Sequence, residues 1–244
     1  MPSRYLAKSI LSAKQTQRNG ISYRADEDQP PLARLFVSET QLSRDASAVK
    51  RGSTRGRTLA FPRTVRRVQC VAFRSAESLR SVVLNEGLEA LGDRAFYRTG
   101  LREVAFPASL RKTGKGTFAG CESLRRVTFA AGSVLERIEG ECFSGTGIDE
   151  IVVPSSIAVI GGGAFRGCSS LRRVAFQKGS KLQRIGHSCF CGSGLEEVAL
   201  PGTLRAVGGN AFGNCGRLRA VWVEAGCQVD VRELVGCSVE VEEV

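Results

Sequence analysis

The stretch of this chain whose residue types could do metal chemistry is His187-Ser188-Cys189-Phe190-Cys191. In an extended segment the alternate residues His187, Cys189 and Cys191 share one side, and imidazole nitrogen and thiolate sulfur are common ligands of zinc. The set stops there. His187 is the sole histidine, no fourth ligand stands at zinc spacing, and Cys189 fills a recurring slot that elsewhere mostly holds Ala. Nucleophilic catalysis fares no better, since the one histidine has no placed acidic partner and no G-x-S-x-G elbow stands nearby. Glycine strings such as Gly161-Gly162-Gly163 and Gly208-Gly209 lack the following G-K-(S/T) that a phosphate loop needs. These residues therefore predict no enzyme, no metal, no cofactor and no small-molecule substrate.

The elements that carry them are set by a repeat. Phenylalanine recurs at Phe73, Phe96, Phe118, Phe143, Phe165, Phe190 and Phe212, at intervals of 23, 22, 25, 22, 25 and 22 residues. From Phe96 onward two alternating units therefore make a period of 47. One unit carries G-C-x-x-L, as in Gly120-Cys121 to Leu124 and Gly167-Cys168 to Leu171, with Asn214-Cys215 to Leu218 a near copy. The other shortens this link to Thr99-Gly100-Leu101, Thr146-Gly147-Ile148 and Ser193-Gly194-Leu195. A proline closes the strand of every second unit, at Pro62, Pro107, Pro154 and Pro201.

Within each unit a segment of type L-x-x-V-x-(F/L/V) alternates about Val82, Val104, Val127, Ile151, Val174, Val198 and Val221, as a strand does. A turn follows, then L-x-x-(I/V/L)-(G/E), then the (A/C)-F pair and a tight glycine-containing return. A coil of this size cannot bury its own apolar side, so neighbours must stack over one continuous core. The expected fold is a solenoid of about seven coils, parallel strands on one face, turns and short irregular or 3-10 segments on the other. The seven phased phenylalanines are its expected core. Residues 1–56 lack the repeat and form a basic, mostly disordered segment in which 31–36 and Leu42 are placed to cap the first coil. The solenoid spans 57–223, and 224–244 form a degenerate acidic capping coil.

The units resemble the BspA-like leucine-rich-repeat family, whose consensus is approximately L-x-x-I-x-I-P-x-x-V-x-x-I-G-x-x-A-F-x-x-C-x-S-L. The best match is 148–171: Ile148, Ile151, Val153-Pro154, Ile157, Ile160-Gly161, Ala164-Phe165, Cys168 and Ser170-Leu171. The resemblance covers 57–223. It implies a leucine-rich-repeat solenoid and a role in adhesion or protein binding, with family members often displayed on microbial cell surfaces.

Cysteine usage points the other way on compartment. Nine cysteines without framework spacing fit a reducing interior, and no secretory apolar region or membrane-length run is visible. An intracellular location is favoured, and surface display would need an N-terminal segment beyond this sequence. Same-slot cysteines two coils apart are too far for a disulfide, so they fill the core.

Lys and Arg outnumber Asp and Glu by 35 to 24. Placed on the strands, much of that excess is paired. The second outward column, Glu103, Arg126, Glu150, Arg173 and Glu197, alternates strictly in sign, so in-register neighbours attract. Arg80 and Arg102 remain as excess, with Lys50, Arg51, Arg55 and Arg57 in the tail. Beside the charges runs a small, mostly apolar column, Val83, Ala105, Thr128, Val152, Ala175, Ala199 and Trp222. Such a strip suits a protein partner, with Trp222 as anchor and Arg80 and Arg102 at its margin. The alternative is a basic nucleic-acid or anionic-membrane binder working through the tail and first coils. Oligomeric state is left open.

Overall fold

The computed structural model describes residues 58–61 and 63–229, together with the backbone alone of 21–24, 34–37, 57 and 240–243. Two strands precede the repeat, β1 (Ile21–Arg24) and β2 (Arg34–Val37). The coils then give, in order, β3 (Arg57–Ala60), β4 (Arg67–Val68), β5 (Leu79–Val83), β6 (Ala90–Leu91), β7 (Glu103–Phe106), β8 (Arg126–Phe129) and β9 (Arg137–Ile138). They continue with β10 (Glu150–Val153), β11 (Val159–Ile160), β12 (Arg173–Phe176), β13 (Arg184–Ile185), β14 (Glu197–Leu200), β15 (Ala206–Val207) and β16 (Ala220–Val223), before β17 (Glu240–Glu243). No helix occurs among the described residues.

Alternation makes the longer strands. In β7 and β10 exposed and buried residues alternate strictly, because Val104, Phe106, Ile151 and Val153 turn inward. These strands stack in parallel as β2-β3-β5-β7-β8 and β10-β12-β14-β16-β17, with β1 antiparallel to β2 at one edge. A second parallel ladder, not visible as strands in the sequence pattern, runs along another side of the coils as β9-β11-β13-β15. Each of its strands ends on a β-branched residue, Ile138, Ile160, Ile185 or Val207, and the three isoleucines are buried in the core.

The ladder of long strands is interrupted between β8 and β10. Asp149 stands at the break. Its carboxylate accepts the Glu150 N–H at 2.9 Å, whereas the matching Arg126 N–H reaches back to the Arg102 carbonyl of the preceding coil at 3.3 Å.

The seven phased phenylalanines are buried and form one column, with ring centroids 5.2 to 5.7 Å apart and planes within 15° of parallel. Offset stacking at this spacing is a favourable aromatic geometry. Backbone fixes it. From Phe73 to Phe190 each phenylalanine N–H donates to the carbonyl just before the next phenylalanine, at 2.7 to 2.9 Å. The residues two before and two after each ring turn through the left-handed region in most coils, as at Gly116 (φ 61°) and Gly120 (φ 71°) around Phe118.

The two-coil period has a polar cause. In the short-link units Thr99, Thr146 and Ser193 face Cys121, Cys168 and Cys215 of the next coil at 3.2, 3.3 and 3.3 Å. Each of these thiols also donates to a phenylalanine carbonyl, of Phe96, Phe143 and Phe190, at 3.0 to 3.1 Å. A hydroxyl on one coil therefore meets a thiol on the next, and the coils alternate.

Within the segment expected to be mostly disordered, Arg34–Val37 pairs in parallel with the first coil, Arg34 opposite Thr58 and Phe36 opposite Ala60. Ile21–Arg24 pairs antiparallel with that strand; the remainder of 1–56, including Lys50, Arg51 and Arg55, lies outside the described residues, as do 230–239 in the expected C-terminal cap. The strand Glu240–Glu243 pairs in parallel with β16.

Candidate functional site

The long-strand face presents three outward columns because the leading Leu or Ile and the central Val or Ile of the coils are buried, Leu218 alone of those described being half-buried. Column three brings together the residues expected to meet a partner. Ala105 lies opposite Thr128, Val152 opposite Ala175, and Ala199 opposite Trp222, with Val83 one coil before Ala105. Val83 is 54% exposed and Val152 51%, both large apolar side chains left to solvent. Ala175 and Trp222 are half-buried and the other three exposed. The interruption between β8 and β10 divides the strip into Val83-Ala105-Thr128 and Val152-Ala175-Ala199-Trp222. The first part floors a shallow depression of 240 Å³, walled by Ser81, Glu103 and Arg126.

Flanking charges pair across coils, though less regularly than the alternation of signs implies. Arg126 meets Glu103 at 3.9 Å, and Glu196 sits between Arg172 at 3.9 Å and Arg219 at 3.2 Å. Glu150 is in register with Arg173, and Arg173 with Glu197, but among the described residues none of these three forms an ion pair within 4 Å. Across the interruption, Arg126 and Glu150 share no ladder.

Arg80 and Arg102 differ in a way the sequence did not reveal. The Arg80 guanidinium donates to the Glu77 carbonyl at 2.7 Å and to the Gly100 carbonyl of the next coil at 3.3 Å. Arg125 repeats this with Glu122 and Gly147, at 3.1 and 2.7 Å. A β carbon on Gly100 or Gly147 would collide with these guanidiniums, so the glycine of each Thr-Gly link makes room for an arginine one coil earlier. That pairing was the available signal. Arg102 has no side-chain partner among the described residues and stays free at the strip's edge.

The cysteine and histidine residues do not gather. His187 is exposed and lies over Gly162, whereas Cys189 is fully buried behind it. Among the described residues no three His, Cys, Asp or Glu side chains are grouped to hold a metal. Burial pushes the Cys121 thiol up to about 11 and the Cys142 thiol to about 12, and raises Cys168, Cys189 and Cys215 as well. Such thiols stay protonated at neutral pH, opposite to what a nucleophile or metal ligand needs.

The BspA type leucine rich repeat family matches the chain in six copies, over residues 52–172 and 136–229. No curated protein sequence matches significantly. Among solved structures, the pneumococcal vaccine antigen PcpA superimposes with a TM-score of 0.53 and 16% identity, over 93% of this chain and 84% of that one. A leucine rich cell surface protein from Faecalibacterium prausnitzii gives a TM-score of 0.44 at 20% identity, over 76% of this chain and 59% of that one. At 16% identity the likeness to the pneumococcal protein is one of fold alone.

Proposed function

This chain belongs to the BspA-type leucine-rich-repeat family, and on that premise we propose that it is a non-enzymatic binding module that docks a protein on its long-strand face. The observation that carries this reading is the strip itself. Val83 and Val152 hold half of their surface in water on a rigid, backbone-paired sheet, in a protein whose other large apolar side chains are mostly buried. Apolar surface fixed in that way loses little conformational entropy on docking. The charges beside it orient a partner, and free Arg102 supplies a donor at the margin. Trp222, half-buried at the far end, is the anchor by residue type. An adhesive or surface-antigen role is the finer form of this reading; the pneumococcal protein of the same fold is a vaccine antigen.

The test is proximity labelling with the intact chain, followed by direct binding of the recovered protein to Val83→Lys and Val152→Lys. Loss of binding in both variants, with wild-type binding little changed by added salt, supports the strip. Binding indifferent to both substitutions, or abolished by moderate salt, would move recognition to the basic surfaces instead.

A further inference from the structure

On the return-turn side, away from the strip, three arginines close around one tyrosine. The guanidinium carbons of Arg98, Arg74 and Arg94 lie 5.3, 5.4 and 5.9 Å from the Tyr97 ring centre. All three arginines are exposed and Tyr97 is half-buried. Among the described residues, none of the three guanidiniums makes a hydrogen bond within the chain or an ion pair within 4 Å. The neighbouring carboxylate, Asp93, is directed elsewhere and accepts the Lys115 N–H at 2.8 Å. Three like charges with unclaimed donors are therefore each held within 6 Å of one ring centre, offset in part by its electron-rich face.

The cluster is built into the coil rather than draped over it. Arg94 (φ 52°) and Arg98 (φ 53°) occupy the two left-handed positions that flank Phe96. In other coils these positions are glycine at 116 and 163, and at 120, 145, 167 and 192. Any residue with a β carbon there carries a conformational penalty, so arginine at both is opposed by local backbone preference, as are Val71, Glu141 and the other non-glycine residues in these positions. The next coil accommodates the stems. A β carbon on Gly116 would stand 3.4 Å from Arg94 Cγ, and one on Gly120 would stand 2.9 Å from Arg98 Cγ. Each arginine thus lies over a glycine one coil on, with its head turned to Tyr97.

We propose that Arg74, Arg94 and Arg98, gathered on Tyr97, form a binding site for a compact tetrahedral dianion of the phosphate-monoester class. Guanidinium forks match phosphate oxygens in bidentate geometry, and three of them supply both the charge and the donors for a doubly charged group. The charge is local. One coil further along this side Tyr97's slot holds Ala119, then Ser144, and Lys115 is already paired with Glu141 at 3.4 Å. A nucleic-acid strand wants a basic track with stacking faces, whereas here Ala119 and Ser144 interrupt the slot before Arg166 and the ring is occupied by its own arginines.

The experiment titrates the full chain with inorganic phosphate and with phenyl phosphate, against chloride at matched ionic strength, following affinity and melting temperature. Arg94→Gly/Arg98→Gly is the informative variant, because glycine suits both backbone positions and the coil should melt no lower than wild type. Saturable binding by wild type, weakened at least about tenfold in the double variant, supports the site. Tighter binding of phenyl phosphate assigns an esterified ligand, and equal binding assigns the free anion. Arg74→Gln, on ordinary backbone, repeats the test independently of the left-handed positions. Absence of saturable binding, or binding unchanged in both variants, overturns the proposal. So does preferential, steeply salt-dependent capture of an oligothymidylate strand, which would make the cluster part of a nucleic-acid surface.

Discussion

Thr146 Oγ1 stands 3.3 Å from Cys168 Sγ on the next coil, and both groups reach the Phe143 carbonyl, at 2.8 and 3.0 Å. One buried carbonyl thus collects a hydroxyl and a thiol from successive coils. Removing the hydroxyl withdraws one donor from that carbonyl and leaves the thiol as its side-chain partner in a dry interior.

The isosteric change Thr146→Val should destabilise the solenoid by about 0.5 to 1.5 kcal/mol, the usual net worth of one buried hydrogen bond. Cys168→Ala added to it should cost less than the two changes measured separately, with a coupling above about 0.5 kcal/mol. Denaturant melts of the four proteins provide the cycle. Strict additivity would mean that the pair does not act as a unit.

Phe165 lies between Phe143 and Phe190 at 5.5 and 5.4 Å and is fully buried. Phe165→Ala should therefore reduce stability by about 3 to 5 kcal/mol. A loss of under about 1 kcal/mol in urea melts, far below the cavity range, would contradict a load shared along the ring column.

Glu150→Lys sets a cation in register with Arg173 and should lower stability by about 0.5 to 1 kcal/mol at low salt, less as salt screens it. Adding Arg173→Glu should recover most of the loss. Adding Arg126→Glu instead should recover little, since the ladder is broken on that side. Equal rescue by both would show that β8 and β10 are paired in solution.

The thiols give stability a pH dependence whose sign follows from burial. Cys121 and Cys142 are raised to about 11 and about 12, whereas a thiol in the unfolded chain ionises near 8.5, about the free value. Above that value the unfolded chain has lost protons that the native chain keeps. Stability complete at lower pH therefore declines as pH climbs toward the folded values. In urea melts across this alkaline range, Cys142→Ala should show a shallower decline than wild type. Parallel slopes would place the titrating group elsewhere.

The fold was legible because periodicity is a one-dimensional record of stacking. Phe73 to Phe212, the strand centres from Val82 to Val221 and the alternating links all fall into phase without reference to coordinates. What stayed hidden depends on where a side chain points. Asp149 looks like one more acid in an alternating column, yet its carboxylate takes the Glu150 N–H where the ladder is interrupted. Arg80 looks like spare charge, yet it bonds two carbonyls of successive coils. The arginines around Tyr97 are distant in role from any column of the strand face, and spacing alone does not reveal that left-handed backbone turns two of them onto one ring. The exposed strip was readable as a column, but its division at the interruption was not.

The hydroxyl–thiol contact also sets the step in which such a molecule can lengthen or shorten. Excising the 47 residues 148–194 would join Gly147 to Leu195 and set Thr146 against Cys215, a match of the same kind. Excising only 148–170 would leave Thr146 facing Ser193, with no thiol between them. Tandem duplication and loss within this gene should therefore be tolerated in pairs of coils and penalised singly, so that the reach of the protein changes in whole two-coil increments.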